Sequence, residues 1–284
     1  MEIPFVKMHG LGNNYIYVDL FQFEIEEKRL PAIAREISNV NTGIGSDGLI
    51  LIHPSTVAAV GMRIFNKDGS EGNTCGNGLR CTAKYAFEQG LVKSRDFQIE
   101  TKAGIVDATV QTNGGSVTEI TVNMGKPRLK RSLIPMRGEE RESIVSKPFD
   151  VANRELRLTA VSMGNPHAVF FVDDITTAPL YELGEIIEQD SRFPEGVNVE
   201  FVEVVNETEL NFRVWERGSG VTQACGTGAC AAAVAAILNG FASNGKPITV
   251  HLQGGDLEIK WDDDGFVWMT GGAEVIATGS YYFL

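Results

Sequence analysis

Two cysteines of this sequence stand in closely matched surroundings. Cys75 opens the run Cys-Gly-Asn-Gly and Cys225 opens Cys-Gly-Thr-Gly. An arginine, Arg63 or Arg213, lies twelve residues before each of them. A thiol becomes a base or a nucleophile when it loses its proton. Two thiols in matched settings therefore predict a reaction that uses both.

The matched settings belong to an internal duplication. The segment that starts at Arg63 reappears at Arg213, 150 positions later and without a gap. Upstream, GNNYIYVD from Gly12 corresponds to GNPHAVFFVD from Gly164, at an offset of 152 positions. Two blocks in the same order at nearly the same offset indicate that the chain contains two copies of one unit.

Each cysteine is predicted to lie immediately before a helix. The run LRCTAKYAFEQ stops at Gly90 and the run ACAAAVAAILN stops at Gly240, and glycine just past the last turn is a common helix stop. A helix N-terminus offers free N–H groups and a partial positive charge, which stabilise a thiolate or hold a carboxylate. We therefore expect a lowered pKa at both Cys75 and Cys225.

If the two copies face each other, their helix N-termini would hold one carboxylate between two sulfurs. One thiolate would remove the α-proton and the opposite thiol would return a proton to the other face, which inverts a stereocentre. Pyridoxal phosphate is the usual electron sink for such a weakly acidic proton, but no pyridoxal lysine signature is recognisable. We therefore expect no cofactor, with the helix N–H groups stabilising the developing oxygen charge.

The other two cysteines, Cys81 and Cys230, are interpreted as buried structural thiols. They lie inside the predicted helices at positions that do not match between the copies, and most free cysteines are buried. The local cysteine spacings of six and five residues differ from the Cys-x2-Cys spacing of zinc sites. The histidines do not cluster near them, so no metal is expected.

The secondary structure predicted from the sequence agrees between the copies. The matching elements are helices over 26–39 and 178–190, and strands over 48–52, 61–66, 198–204 and 210–216. The helix after the second cysteine motif is apolar all round and should be buried. Strands and helices do not alternate one for one, which disfavours a doubly wound parallel sheet. These features predict two copies of a unit in which short strands wrap a buried helix.

Composition limits the classes of partner. A chain of 284 residues with 43% hydrophobic and 22% charged residues is typical of a globular protein of about two domains. No apolar run is long enough to span a bilayer, and no signal peptide is recognised. With a net charge of −12 and no basic run, neither nucleic acid nor membrane is expected as a partner. The expected location is the cytoplasm, and a homodimer is left open.

Four motifs resemble those of diaminopimelate epimerases: MHGLGN at 8–13, RIFN followed by CGNGLRC, GNPHAVFFV from Gly164, and WERGSGVTQACGTGACA from Trp215. The resemblance covers nearly the whole chain. The paired cysteines mark a wider superfamily that includes proline racemases and hydroxyproline epimerases, and the MHGLGN and GNPH motifs point to the diaminopimelate branch. The resemblance implies cofactor-independent conversion of LL- to meso-diaminopimelate, on the route to lysine and peptidoglycan.

The resemblance also implies a fold and domain limits. The implied fold class is α/β, of the α+β type, with two pseudo-symmetric domains in which mostly antiparallel strands curl around a central helix. The expected N-terminal domain covers 1–125 and the C-terminal domain 126–272, and a last strand over 273–284 is expected to return to the first domain.

Site residues follow from the motifs that match the family. Cys75 and Cys225 match the acid/base pair. The backbone that holds the reacting carboxylate is implied at Gly76, Asn77, Gly226 and Thr227. His167 and Glu216 are implied near the reacting amino group. The distal end of the substrate is assigned to Arg217, Asn13, Asn66, Asn165 and Asn198, since arginine suits a carboxylate and carboxamides both donate and accept. Gly48 stands where some members have a glutamine that can touch substrate, so that contact is absent or made by another group.

Three alternatives remain at this level. A proline or hydroxyproline racemase of the same fold should lack Glu216-Arg217 and the asparagines, whose presence favours a substrate with two amino-acid ends. A thiol redox or metal-binding protein would also explain two labile cysteines. A non-catalytic amino-acid-binding module would suit duplicated domains with a central cleft, but it would not exchange an α-proton with solvent.

Overall fold

The computed structural model describes residues 1–73 and 75–283. The chain divides into two compact units, Met1–Val122 with Thr270–Leu284, and Asn123–Met269. These boundaries lie three residues from the predicted ones at 125 and 272, and the limits of independently folding domains stay a prediction. Leu284, the last residue of the predicted return strand, lies outside the described residues.

Unit 1 consists of strands on which two α-helices pack. Its elements are β1 (Glu2–Gly10), β2 (Asn13–Asp19), a 3-10 turn (Glu27–Arg29), α1 (Leu30–Ser38), β3 (Gly48–His53), β4 (Val60–Asn66), β5 (Glu71–Gly72), α2 (Gly76–Glu88), β6 (Asp96–Thr101), β7 (Gly104–Asn113) and β8 (Ser116–Asn123). β1 and β2 are antiparallel, β2 and β3 parallel, and β3 and β4 antiparallel. β4 then pairs parallel with β6, which begins the antiparallel meander β6–β7–β8.

Unit 2 repeats this order. Its elements are a 3-10 turn (Arg131–Leu133), β9 (Lys147–Val151), β10 (Arg154–Ser162), β11 (Pro166–Val172), a 3-10 turn (Ile175–Thr177), α3 (Leu180–Glu188), β12 (Asn198–Asn206), β13 (Glu209–Glu216), β14 (Gly220–Val221), α4 (Gly226–Leu238), β15 (Pro247–Leu252), β16 (Gly255–Trp261) and β17 (Val267–Gly271). β10 and β11 are antiparallel, β11 and β12 parallel, β12 and β13 antiparallel, and β13 and β15 parallel. The last strand, β18 (Glu274–Tyr282), pairs antiparallel with β1 in unit 1.

The two units share the register of their parallel strands. Ile16 of β2 pairs with Leu49 of β3, and Ala168 of β11 pairs with Val199 of β12. The residues of the second pair follow those of the first by 152 and 150 positions, the offsets found in the sequence. The duplication and the α+β fold class are therefore confirmed.

A helix buried by strands lies at the centre of each unit. α2 contacts β1, β2, β4 and β7, and α4 contacts β10 to β13 together with β15 and β16. Ten residues of α4 between Gly226 and Ala236 are buried, and most of them are alanine or glycine. Small side chains on every face let strands approach the helix from all directions. The predicted burial of this helix is confirmed.

The other two helices cover one face of each unit. α1 buries Leu30, Ile33 and Ile37 in one hydrophobic core, and α3 buries Leu180, Leu183 and Ile187 in another. Both helices are shorter than predicted. A helix running from residue 26 would place the ring of Pro31 against the carbonyl of residue 27, and α1 instead begins at Leu30, with Pro31 in its first turn, where proline is tolerated. In the described part of the chain, no helix is both long and apolar enough to span a membrane.

Candidate active site

Cys75 and Cys225 each occupy the residue that caps a central helix. Both have extended backbone, and α2 and α4 begin at the next residue, Gly76 and Gly226. Each sulfur accepts a hydrogen bond from the backbone N–H three residues on, at 3.4 Å for Cys75 and 3.3 Å for Cys225. The predicted position of each cysteine, immediately before a helix, is confirmed.

In unit 1, two asparagines surround the first thiol. Asn13 Nδ2 donates to Asp47 Oδ2 at 2.9 Å, and Asn13 Oδ1 accepts from Asn77 Nδ2 at 3.1 Å. The same oxygen lies 3.7 Å from Cys75 Sγ, which donates to it. The carboxylate thus fixes which way the Asn13 carboxamide turns and presents its oxygen to the thiol. We call Asn13, Asp47, Cys75 and Asn77 the Cys75 cluster.

A buried arginine binds one residue of this cluster. Arg80 has no exposed surface, and it donates to Asn77 Oδ1 at 3.0 Å and to Gly272 O at 3.1 Å. It fills the space beside Gly10, where an added Cβ would lie 2.8 Å from Arg80 Nη2. Asn77 therefore has its oxygen and its nitrogen both engaged, which fixes its side chain at the start of α2.

Asn66 is bound elsewhere in the same unit. Its side-chain nitrogen donates to Ser70 Oγ at 3.0 Å and its backbone N–H to Ser70 O at 2.8 Å. Within the described residues, these bonds hold Asn66 in its own turn and do not join it to the Cys75 cluster. Its predicted contact with substrate stays a prediction.

In unit 2, a chain of four contacts leads to the second thiol. Glu200 Oε1 lies 2.6 Å from His167 Nδ1, and His167 Nε2 lies 3.0 Å from Asn165 Oδ1. Asn165 Nδ2 then donates to Thr227 Oγ1 at 3.2 Å, and Thr227 Oγ1 lies 3.5 Å from Cys225 Sγ. We call these five residues the Cys225 cluster. His167, Asn165, Thr227 and Cys225 were all predicted site residues, and the structure brings them together.

Glu216 and Arg217 follow one another at the end of β13. Glu216 accepts a short hydrogen bond from the Thr222 hydroxyl, and burial raises the pKa of Glu216 although Thr222 and His167 act to lower it. Arg217 is exposed. Its backbone N–H donates to Asn198 Oδ1 and its Nη1 to Glu195 O, both at 2.8 Å. Asn198 thus holds the chain at the point where Arg217 leaves the strand.

The expectation of a lowered pKa at the cysteines is wrong for Cys225. Burial raises the pKa of its thiol well above the usual value, and the nearby carboxyl groups of Glu216 and Glu200 raise it further. Hydrogen bonds from Thr227 and the Gly228 N–H act in the opposite direction and are outweighed. The sequence reveals the helix start but not that the sulfur beside it is only 5% exposed.

The two thiols not assigned to chemistry lie deep in the units. Cys81 and Cys230 have no exposed surface, and burial raises the pKa of Cys81 to about 11. Their predicted burial is confirmed. In the portion of the chain that the structure describes, no group of three or more His, Cys, Asp or Glu side chains is placed to hold a metal ion.

Comparison with known proteins identifies the family. The family model described as "Diaminopimelate epimerase" matches residues 5–130 and 159–276, which is most of the chain. The chain belongs to the diaminopimelate epimerase family. Its two matched stretches correspond to the two copies of the duplication, and the resemblance found in the motifs is confirmed.

Close relatives of the family match along their full length. The chain is 64% identical to "Diaminopimelate epimerase" of Oceanobacillus iheyensis over 100% of this chain and 99% of that protein. It is 64% identical to the protein of the same name in Geobacillus kaustophilus, over 99% and 97% of the two chains, and 60% identical to that of Bacillus cereus, over 99% and 98%. Among the alternatives raised by the sequence, this similarity favours the epimerase.

Distant solved structures share the fold. A phenazine biosynthesis protein of the PhzF family from Bacillus anthracis superposes with a TM-score of 0.75 at 18% identity and covers 100% of both chains. A hydroxyproline epimerase from Agrobacterium vitis superposes with a TM-score of 0.70 at 14% identity, covering 98% of this chain and 90% of that one. At these identities the likeness supports the fold alone.

Four polar residues of the two clusters and their surroundings were missed in the sequence. They are Asp47, Arg80, Glu200 and Thr222. Arg80 gave a usable signal, because a charged residue in the middle of a buried helix requires a partner. Glu200 gave one too, since it interrupts the apolar run of a buried strand. Asp47 and Thr222 lie in loops, where polar residues are the rule, and nothing in the local sequence singles them out.

The raised pKa of Cys225 leads to a test on the protein without substrate. We expect Cys225 to react with a small alkylating reagent only above the pH at which an exposed cysteine reacts, which is about 8.5, because the thiolate is the reactive form. Peptide mass spectrometry after alkylation at a series of pH values measures this midpoint for each cysteine. A midpoint for Cys225 at or below that of a cysteine in a model peptide would show that the helix N-terminus outweighs burial.

Proposed function

We propose that this chain interconverts LL- and meso-2,6-diaminopimelate by moving an α-proton between Cys75 and Cys225, the reaction classified as EC 5.1.1.7. The full-length identity of about 60% or more to diaminopimelate epimerases carries the choice of reaction. The position of one cysteine at the start of a central helix in each unit supports the choice of residues. The product serves the synthesis of lysine and of peptidoglycan.

The chemistry requires one thiolate and one thiol on opposite faces of the α-carbon. The thiolate takes the α-proton, the electron pair left on carbon is shared with the carboxylate, and the thiol gives its proton to the opposite face. Atoms and charge balance, since the enzyme gains one proton at one sulfur and loses one at the other. The raised pKa of Cys225 suits the direction of the reaction in which Cys225 is the base, because the thiolate of a weaker acid is a stronger base toward a weakly acidic C–H.

The helix N-termini supply the stabilisation that a cofactor would otherwise provide. Removal of the α-proton places negative charge on the substrate carboxylate, and free N–H groups of a first helical turn stabilise such charge. The backbone at Gly76, Asn77, Gly226 and Thr227 is proposed to hold that carboxylate. With the thiol pair as acid and base and these N–H groups as charge stabilisers, the proposed reaction needs neither pyridoxal phosphate nor metal.

Epimerisation in D2O by cysteine variants tests this function. We expect the purified protein to convert LL-diaminopimelate and to introduce deuterium at the α-carbon with no cofactor added. Cys75→Ala and Cys225→Ala should each lose essentially all epimerisation, because a two-base reaction needs both sulfurs. Cys81→Ala and Cys230→Ala are the matched controls and should keep most activity. Normal interconversion by Cys225→Ala, or a requirement for pyridoxal phosphate, would contradict the proposal.

The substrate has two amino-acid ends, and the proposed contacts divide between them. His167 and Glu216 are proposed to lie near the reacting amino group, where Glu216 would offset its positive charge. The residues proposed for the distal end are Arg217, Asn13, Asn66, Asn165 and Asn198. Among the described residues, Glu195 O is the one acceptor bonded to the Arg217 guanidinium, so its remaining N–H groups are available to a carboxylate.

Arg217 variants test recognition of the distal carboxylate. Arg217→Ala should lower kcat/KM for diaminopimelate by roughly 100-fold or more, since hydrogen bonds to a charged group contribute about 1.5–3 kcal/mol each. Arg217→Lys keeps the charge but loses the planar fork and should lower it by about tenfold. Lys67, which occupies the corresponding position of the first copy, supplies the control Lys67→Ala. Unchanged constants for Arg217→Ala would reopen a proline-type substrate with one amino-acid end.

We also propose that the protein acts in the cytoplasm, where amino-acid synthesis takes place, and that it forms a homodimer through β18. This strand pairs with β1, yet eight of its nine residues are exposed. Its exposed apolar side chains include Val275 and Ile276, each 49% exposed, and Tyr282, 70% exposed. Exposed apolar residues on a strand favour pairing with a second copy.

Sedimentation analysis tests the dimer. The protein is expected to sediment as a dimer, and Ile276→Glu should shift it toward the monomer by placing a charge in the interface. Val57→Glu changes an apolar residue of 57% exposure away from β18 and should leave the mass unchanged. A monomeric wild type would overturn the proposed association.

A further inference from the structure

Glu200 is a buried carboxylate that the proposed reaction does not use. It lies on β12 with no exposed surface, and one of its oxygens is 2.6 Å from His167 Nδ1. The other oxygen, Oε2, is buried and has no hydrogen-bond partner in the described part of the chain. Placing a carboxyl group in a protein interior is costly unless it is fully hydrogen-bonded, so its presence calls for a role.

Glu200 and the Cys225 thiol both lie beside Gly228. A Cβ added to Gly228 would lie 2.9 Å from Phe212 Cζ, 3.1 Å from Glu200 Oε1 and 3.2 Å from Cys225 Sγ. The carboxylate and the sulfur therefore flank the same small space in the first turn of α4. At such a separation in a poorly solvated interior, a negative charge on one group strongly disfavours a negative charge on the other.

The first unit has no carboxylate at this position. The duplication places Ile50 where the second unit has Glu200. The corresponding glycine, Gly78, confirms the match, since a Cβ there would lie 2.6 Å from Ile50 Cδ1 and 3.7 Å from Cys75 Sγ. The two thiols thus share a backbone setting, but an isoleucine lies behind Cys75.

The other titratable groups near the two thiols also differ. Two carboxyl groups, Glu200 on β12 and Glu216 on β13, lie close to Cys225, and His167 on β11 lies close to both carboxyl groups. At Cys75, the duplication replaces Glu216 by the neutral Asn66, and α2 carries the buried cation Arg80. Asp47 is the one carboxylate of the Cys75 cluster, and its Oδ2 accepts hydrogen bonds from Asn13 Nδ2 and from the backbone N–H of Asn14.

We propose that Glu200 is a positioning residue that keeps Cys225 as the neutral thiol in the resting protein, so that Cys75 carries the thiolate. The proposal deepens the proposed function and rests on it. In the direction of the reaction that starts from the Cys75 thiolate, this thiolate takes the α-proton and Cys225 gives its proton to the opposite face. The Cys225 thiolate so formed lies beside Glu200, which favours its return to the thiol by proton exchange. Burial and the two nearby carboxyl groups act together on this thiol. Burial also raises the pKa of Glu200, and the contact with His167 opposes that shift and favours the carboxylate.

The pH profile of kcat/KM distinguishes this role from a structural one. The active form needs Cys75 charged and Cys225 neutral, so the alkaline limb of the profile reports loss of the Cys225 proton from the free enzyme. Glu200→Gln keeps the size of the side chain and removes its charge. It should move the alkaline limb to lower pH by about one pH unit. A purely structural loss would lower kcat/KM at every pH without moving the limb.

Alkylation without substrate gives a second, independent readout. In Glu200→Gln the alkylation midpoint of Cys225 should fall by about one pH unit, while that of Cys75 stays in place as an internal reference. Glu200→Ile, which copies the first unit, should lower it similarly, and Glu200→Asp should restore it toward the wild-type value. Glu203→Gln is the matched control, because Glu203 lies on the same strand and bonds Ile175 N and Asn211 Nδ2, away from the thiol.

The outcomes separate the two proposals. The role of Glu200 is overturned if Glu200→Gln keeps the wild-type melting temperature and moves neither the Cys225 alkylation midpoint nor the alkaline limb of the pH profile. If Glu200→Gln melts at a markedly lower temperature, Glu200→Asp is the deciding variant. It keeps the negative charge, so the alkaline limb of its pH profile must stay near the wild-type pH. Full activity of Cys225→Ala would overturn the proposed function, whatever the alkylation midpoints show.

Discussion

The burial of one helix inside each unit is the constraint on which the other features depend. A helix surrounded by strands cannot expose its backbone to water along its length, and its interior peptide groups bond to one another. The N–H groups of its first turn are the exception, since they have no partner within the helix. In α2 and α4 the cap residue is a cysteine, and its sulfur accepts one of these N–H groups. Burying the helix thus creates a polar end at which a thiol is already held.

Both copies of the duplication keep the cysteine cap at the helix N-terminus, but the residues around the cap differ. An asparagine at the start of β2 or just before β11, Asn13 or Asn165, lies beside the cap. The polar residue two positions after the cysteine, Asn77 or Thr227, bonds to this asparagine. The residues behind these differ between the copies. In the first copy Asp47 bonds to Asn13 and Arg80 bonds to Asn77. In the second copy His167 bonds to Asn165, and Glu200 lies against the other ring nitrogen of His167. A proton transfer between two faces of one carbon needs halves that are alike in chemistry, and halves that differ in electrostatics can hold the two thiols in different protonation states.

The sequence predicted what depends on local pattern and missed what depends on packing. The duplication, the strands and the helix-start cysteines were correct, because each is written in spacing and periodicity within a few tens of residues. α1 begins later than predicted, because Pro31 is tolerated in the first turn of a helix and not in its interior. The pKa direction at Cys225 was wrong because a helix terminus can be seen in sequence, whereas the burial that outweighs it depends on strands far along the chain. For the same reason the partner of His167 was missed, since Glu200 lies 33 positions away on a parallel strand.

The groups nearest each sulfur can bind both the thiol and the thiolate. A hydroxyl can donate to a thiolate or accept from a thiol by rotating its hydrogen, so Thr227 serves Cys225 in either state without moving a heavy atom. Asn13 presents only a carbonyl oxygen to Cys75, and a carbonyl can accept but not donate. A Cys75 thiolate can accept from the Gly78 N–H and from the Tyr15 hydroxyl, which shares a side-chain hydrogen bond with this sulfur, and at Cys225 an N–H and a hydroxyl are likewise available. Each sulfur thus has donors that stabilise its thiolate, which narrows, at each of them, the difference in free energy between the two protonation states that a reversible epimerisation must visit.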